Sequence, residues 1–192
     1  MDNHWSIFKI VKVLKNANSE FAAMTDKGMI LSESCKDHLY KRFEKMGADE
    51  KMIKLVMGPA EISENIEQFE DIRKILYYES KWNLEKVKEA LEEICDVVDS
   101  SFEKEESDSG EISIRGINKA YGMDIFLSHV GLSQEDSIAF GDGPNDLEMI
   151  EYANIGVCMG NGRDELKKKA DFITKSVNDD GIEFALKELG II

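Results

Sequence analysis

Gly141-Asp-Gly-Pro-Asn-Asp-Leu-Glu-Met149 is the stretch from which the fold of this chain can be read. Before it runs Ser137-Ile-Ala-Phe140, an apolar segment with the length of a buried strand. After it the pattern turns helical, with Leu147, Ile150, Glu151 and Ala153 at helix spacing. Asp142, Asn145 and Asp146 are therefore expected on a loop that leaves the carboxyl end of a strand and opens a helix. In open α/β sheets that edge is where ligands bind. Two carboxylates and an amide within five residues make a hard-oxygen cluster suited to Mg²⁺. Gly141 and Gly143 let the backbone turn tightly and approach a ligand. A plain helix N-cap is the competing reading, but a cap needs one such residue and three are present.

Composition sets outer limits. The chain has 192 residues, 42% of them hydrophobic, enough for one large domain or two small ones. Its net charge of −15 argues against nucleic acid or an anionic membrane as principal partner. A phosphorylated small molecule is not excluded, because a cation and a lysine reverse the sign locally. No apolar run reaches membrane-spanning length, and Met1-Asp-Asn-His-Trp5 has no signal-peptide pattern. Cys35, Cys95 and Cys158 are widely spaced and odd in number, which predicts buried free thiols in a reducing cytoplasm.

The first part of the chain predicts an α+β unit over residues 1 to 113. Residues 6 to 17 place Ile7, Ile10, Val11 and Leu14 on one helical face. Glu20 to Thr25 and Met29 to Ser32 flank Asp26-Lys27-Gly28, a hairpin signal. Residues 35 to 46 return to helix with Leu39, Phe43 and Met46 inward, and Gly47 follows as a stop. Residues 52 to 58 read as a short strand, and the acidic stretch 60 to 70 as a solvated surface. Strand 72 to 78, helix 83 to 94 and strands 96 to 102 and 111 to 115 follow, with a polar loop over 103 to 110. The expected result is an antiparallel sheet with helices on one face.

From residue 116 the pattern alternates. Helix 118–130, strand 137–140, helix 145–152, strand 155–158, helix 163–169, strand 171–174 and helix 180–189 imply parallel βαβ units over residues 114 to 192. Asp180 is read as the cap of the last helix.

Lys119 together with Gly141 to Asp146 resembles the haloacid dehalogenase (HAD) superfamily of phosphohydrolases. Ile155-Gly-Val-Cys-Met-Gly160, Ala170-Asp-Phe-Ile-Thr174 and Asp180-Gly-Ile182 narrow the resemblance to its Cof-type sugar-phosphatase subfamily. The resemblance implies an α/β, HAD-like fold: a partial Rossmannoid parallel core in residues 114–192 under an α+β cap domain of the Cof type in residues 1–113. It implies a Mg²⁺-dependent phosphatase of small phosphorylated metabolites, sugar phosphates foremost. Carried over, Asp142 ligates Mg²⁺, and Asp146 ligates it or holds a metal-bound water. Asn145, with Gly141 and Gly143, lies on the phosphate side or behind the metal ligands, and Lys119 steadies phosphoryl charge as the catalytic lysine. Neutralising and aligning charge is what phosphoryl transfer demands.

The family's Asp-x-Asp-Gly-Thr nucleophile motif has no match in residues 1 to 112. Thr25-Asp26-Lys27-Gly28 comes nearest and reads as a hairpin turn. The chain is thus expected to begin at the cap, lacking the first half of the core. Three readings follow: a Mg²⁺-dependent phosphatase whose attacking residue is not in these residues, a catalytically inactive binding or interaction module, or one piece of a split or cleaved enzyme completed by an N-terminal fragment. The expected partners are a phosphorylated metabolite, the missing core segment or a second copy. Two other motif readings fail. Gly160-Asn-Gly162 lacks the third glycine of a dinucleotide loop because Glu165 stands there, and the acidic loop lacks the spacing of an EF-hand. His4, His38 and His129 have no metal or triad spacing.

Overall fold

The structure, a computed structural model, describes residues 3–100 and 108–192, with side chains from residue 7 onward. The end of the expected strand 96–102 and most of the polar loop 103–110 lie outside the described residues. The chain divides into two compact units, Met1–Asp99 with Glu106–Arg115, and Ser100–Glu105 with Gly116–Ile192.

In the first unit, helix α1 (Asn3–Asn16) buries Ile10, Val11 and Leu14. Strands β1 (Glu20–Met24) and β2 (Met29–Leu31) form the hairpin, closed by the Thr25 N–H donating to the Gly28 carbonyl at 2.9 Å. Gly28 has φ +141° and faces the Pro59 carbonyl oxygen so closely that a Cβ would stand 2.1 Å from it. No other residue fits that turn. Helix α2 (Glu33–Lys45) starts at Ser32, whose hydroxyl accepts from the Cys35 N–H. Leu39 is buried on its inner face, but Met46 is 61% exposed because it lies beyond the helix's last inward position.

The strand expected over 52–58 is instead helix α3 (Glu50–Met57). The Asp49 carboxylate caps it by accepting from the Met52 N–H at 2.7 Å, and Ile53 and Met57, four residues apart, are buried on one face. The acidic stretch after it is not wholly solvated surface. It contributes strand β3 (Ala60–Ile62), parallel to β2 at the sheet edge, and buries Ile66. Strand β4 (Lys74–Tyr78), helix α4 (Leu84–Leu91), strand β5 (Cys95–Asp99) and strand β6 (Gly110–Ile114) complete the unit.

The six strands run in the order β3-β2-β1-β4-β6-β5, antiparallel except for the β2–β3 pair. Helices cover both faces, not one. Ala23, Ile30, Ile75 and Tyr77 face α1 and α4, while Ala22, Leu31 and Tyr78 face α2 and α3. Adjacent residues in a strand point to opposite faces, so the runs Phe21 to Met24 and Ile75 to Tyr78 supply both cores at once.

The second unit holds helix α5 (Lys119–Val130), strand β7 (Ile138–Gly141), a 3₁₀ turn (Pro144–Asp146) and helix α6 (Leu147–Tyr152). Strand β8 (Ile155–Cys158), helix α7 (Asp164–Lys167), strand β9 (Phe172–Ile173) and helix α8 (Gly181–Glu188) follow. The three strands form a parallel sheet β7-β8-β9, with Ala139, Ile150, Ala153, Cys158 and Leu166 in its core. Among the described residues β7 pairs with β8 alone, so its other edge is open. Asp180 does not cap α8 through its side chain. It sits at φ +53°, turning the chain into the helix by backbone geometry.

Candidate functional site

Parallel strands place all their carboxyl ends on one side, and three loops gather there. The first, residues 142 to 146, follows β7. Its organiser is Asp146, 5% exposed. Asp146 Oδ2 accepts from the backbone N–H groups of Asp142 and Gly143, each at 3.0 Å. Asp146 Oδ1 accepts from the Lys119 ammonium. Gly141 makes this possible, since a Cβ there would stand 2.5 Å from Asp146 Cβ.

Lys119 is the first residue of α5, whose N-terminus is capped by Asn118 accepting from the Tyr121 N–H at 2.9 Å. Its ammonium also donates to Asn145 Oδ1 at 3.3 Å. Lys119, Asn145 and Asp146 are thus brought together from two elements separated by the whole length of α5.

Asp142 points the other way and is exposed. Its Oδ2 accepts from Asn161 Nδ2 at 3.0 Å. Asn161 lies on the second loop, Met159 to Gly162, after β8. This loop is tied to the first by the Met159 N–H donating to the Gly141 carbonyl and the Arg163 N–H to the Asp142 carbonyl. The third loop, after β9, is held through the Gly160 N–H donating to the Lys175 carbonyl and by Thr174 Oγ1 donating to the Gly181 carbonyl. Asn161 is the polar residue that sequence reading passed over. Its signal was an amide between two glycines at the end of a strand, the same position in the fold as the Asp142 loop.

Among the described residues no group of three or more His, Cys, Asp or Glu side chains gathers into a complete metal site. The donors nonetheless fit part of a Mg²⁺ shell. Asp142 is exposed, and Asn161 engages its Oδ2 and not its Oδ1. Asp146 has its Oδ2 filled by two N–H donors and keeps one lone pair on Oδ1 beside the lysine. Mg²⁺ takes one or two protein carboxylates and completes its octahedron with water and phosphate oxygens. The Lys119 ammonium meets Asp146 and Asn145 in the same loop. Cys158, beneath the loop, is buried and its thiol is pushed above its ordinary value by that burial, which leaves it protonated and inert.

The second unit is a parallel α/β unit with an acidic loop, a lysine and glycine turns at its strand ends. The comparisons give the family. The model of the haloacid dehalogenase-like hydrolases matches residues 3–186, and the chain belongs to that family. It is 46% identical over 78 residues to the 5-amino-6-(5-phospho-D-ribitylamino)uracil phosphatase YitU of Bacillus subtilis, across 41% of this chain and 29% of that protein. It superposes on the subclass IIB sugar phosphatase BT4131 with a TM-score of 0.78, at 21% identity, across 98% of this chain and 67% of that one. A haloacid dehalogenase-like hydrolase from Bacillus subtilis gives a TM-score of 0.75 at 24% identity, across 95% and 70%. The curated relatives are longer than the matched stretch, which spans 18%, 33% and 29% of three of them. No described helix is long and apolar enough to cross a membrane.

Proposed function

We propose that this chain is the cap and the C-terminal half of the core of a cytoplasmic, Mg²⁺-dependent phosphatase of small phosphorylated metabolites, with sugar phosphates the leading substrate class. The observation that carries the proposal is the pairing of Lys119 with Asp146 beside an outward-facing Asp142, in a chain of this family. The likeness of its fold to a sugar phosphatase, and the phosphate ester named for its Bacillus relative, support the substrate class.

Each residue has a separable task. Asp142 would hold the metal through the oxygen that Asn161 does not engage, with Asn145 beside it. Asp146 anchors the loop by two N–H groups and holds the Lys119 ammonium at the place where phosphoryl charge is to be met. Lys119 then neutralises the phosphoryl oxygens and orients the ester. When bound, Mg²⁺ supplies the remaining charge neutralisation on those oxygens.

Attack on phosphorus requires a carboxylate that none of these residues supplies, since Asp146 is engaged and Asp142 faces the metal side. In the family pattern that aspartate lies on a strand preceding the cap, and we assign it to a segment that pairs with the open edge of β7. A catalytically inactive binding module is the second reading, favoured only by the same missing carboxylate. The deciding experiment is turnover of an aryl phosphate by the pure chain with and without an N-terminal core segment supplied. Activity that needs the segment and is abolished by Asp142→Ala supports the phosphatase reading. Substrate binding without turnover in the completed protein supports the inactive module.

A further inference from the structure

We propose that Asn161 is the positioning residue for the Asp142 carboxylate. The inference rests on the reading of Asp142 as the metal-binding carboxylate and adds the residue that aims it.

The Asn161 side chain links the loops that follow all three parallel strands. Its Nδ2 donates to Asp142 Oδ2 at 3.0 Å, and its Oδ1 accepts from the Val177 N–H at 2.9 Å. The orientation of the amide is unambiguous, because a backbone N–H can only donate and a carboxylate can only accept. Of the side chains of this length, only an uncharged amide donates on one side and accepts on the other. Aspartate would satisfy Val177 but repel Asp142, and serine is too short to span both.

Its neighbours are shaped around it. At Gly160 a Cβ would stand 2.9 Å from the backbone of Lys175 and Ser176. At Gly162 it would stand 2.6 Å from Cys158 Sγ, 2.9 Å from the Met159 carbonyl oxygen and 3.2 Å from Asp142 Cα. Both glycines therefore serve close approach, Gly160 to the third loop and Gly162 to the Asp142 loop. The Arg163 N–H, donating to the Asp142 carbonyl at 3.1 Å, holds the backbone of that loop in register.

The consequence is preorganisation. An exposed carboxylate left to itself samples several rotamers and must give them up when it takes a cation. With Oδ2 tied to the Asn161 amide, the carboxylate is held in one orientation and Oδ1 is the oxygen that Asn161 does not engage. The glycine-flanked amide thus acts through Asp142 and touches neither metal nor substrate itself.

The test is a site-resolved Mn²⁺ titration, following paramagnetic broadening of the amide resonances of residues 141–146. It uses the wild type, Asn161→Ala, Asp142→Asn and the double variant, with thermal unfolding of each. Asn161→Ala is expected to weaken Mn²⁺ binding at this loop by about three- to tenfold, the range of one ordinary hydrogen bond. In the Asp142→Asn background it is expected to add no further weakening of Mn²⁺ binding, because the two side chains act through one contact. Val177→Pro supplies the second variant. It deletes the N–H that orients Asn161 at the first position of the 3₁₀ turn Val177–Asp179, where proline is tolerated. It is expected to weaken Mn²⁺ in the same direction by a smaller factor. Unchanged affinity in Asn161→Ala and Val177→Pro, alongside weakened binding in Asp142→Asn, overturns the role of Asn161 and leaves the metal reading standing. Unchanged affinity in Asp142→Asn overturns the metal reading itself.

Discussion

The buried carboxylate of Asp146 takes the ammonium of Lys119, 27 positions earlier in the chain, on one oxygen and two backbone N–H groups on the other. The partners are unequal. The Lys119 side chain is half exposed and Asp146 is nearly sealed. The carboxylate is therefore the structural member of the pair and the lysine the available one. Asp146→Ala is expected to destabilise the second unit by about 2–4 kcal/mol, because it leaves two N–H groups without their acceptor as well as breaking the pair. Lys119→Ala is expected to lower stability by about 1–2 kcal/mol, since the two N–H donors still solvate the carboxylate. Urea denaturation of both variants measures the order. A larger loss in Lys119→Ala would show that the ammonium, not the backbone, holds Asp146.

Two glycines separate packing from propensity. At Gly156 a Cβ would lie 2.3 Å from the Ile150 carbonyl oxygen, where β8 and α6 meet. Gly156→Ala should lower stability by roughly 2 kcal/mol or more, since backbone must move. Gly122 lies inside α5 with nothing within 4 Å of its Cβ position. Gly122→Ala should raise stability by about 0.5–1 kcal/mol through helix propensity alone. Paired thermal melts read both signs.

Stability should fall in alkali through the thiols. Burial pushes the Cys35 and Cys95 pKa values from 9.0 up to about 12. Desolvation also pushes the Tyr77 and Tyr78 hydroxyls upward. A group whose folded pKa is raised keeps its proton in the folded state while the unfolded chain releases it. The contribution is thus complete below about pH 9 and is lost progressively toward pH 12. Urea midpoints at pH 8, 9.5 and 10.5 should decline in that order. A flat profile would mean the thiols are open to solvent, and rapid native-state labelling by a thiol reagent would say the same.

The second unit carries exposed apolar side chains on α5 as well as an open sheet edge at β7 among the described residues. On α5, Tyr121, Ile125, Phe126 and Val130 are between 46% and 63% exposed. A strand edge and an apolar helix face left bare invite pairing. Sedimentation should find the chain self-associating, and addition of a segment supplying the proposed strand beside β7 should return a single 1:1 species. A monomer at high concentration without that segment would argue against the open-edge reading.

Aryl phosphate turnover by the chain alone should be absent. In the proposed site Lys119 and a cation held by Asp142 would meet phosphoryl charge, but neither residue would attack phosphorus, and members of a concerted site act as a unit. Enzyme-like turnover by pure chain, lost in Asp142→Ala, would overturn this and make Asp26 the first residue to test.

Much of this protein is determined locally. The alternation of strand and helix after residue 116, the hairpin at Asp26-Lys27-Gly28 and the acidic loop after β7 follow from periodicity and turn chemistry, which act over a few residues. The family is legible for the same reason, because Gly141 to Asp146 must keep its spacing to form one turn. Where local signals are degenerate, tertiary structure decided. Met52-Ile-Lys-Leu-Val-Met57 is apolar enough for a strand, and the Asp49 cap with Ile53 and Met57 meeting the same face of the sheet made it α3. The placing of helices on both faces depended on which of two small neighbours, Ala22 or Ala23, met which helix, and periodicity treats those residues alike. Asp146 reads in the sequence as one carboxylate of a pair. Only folding distinguished it from Asp142, by burying one against Lys119 and two N–H groups and leaving the other outside with Asn161. Partners 27 and 19 positions apart leave no mark on local pattern. Their meeting is set by the parallel sheet, which brings the carboxyl ends of its strands to one edge.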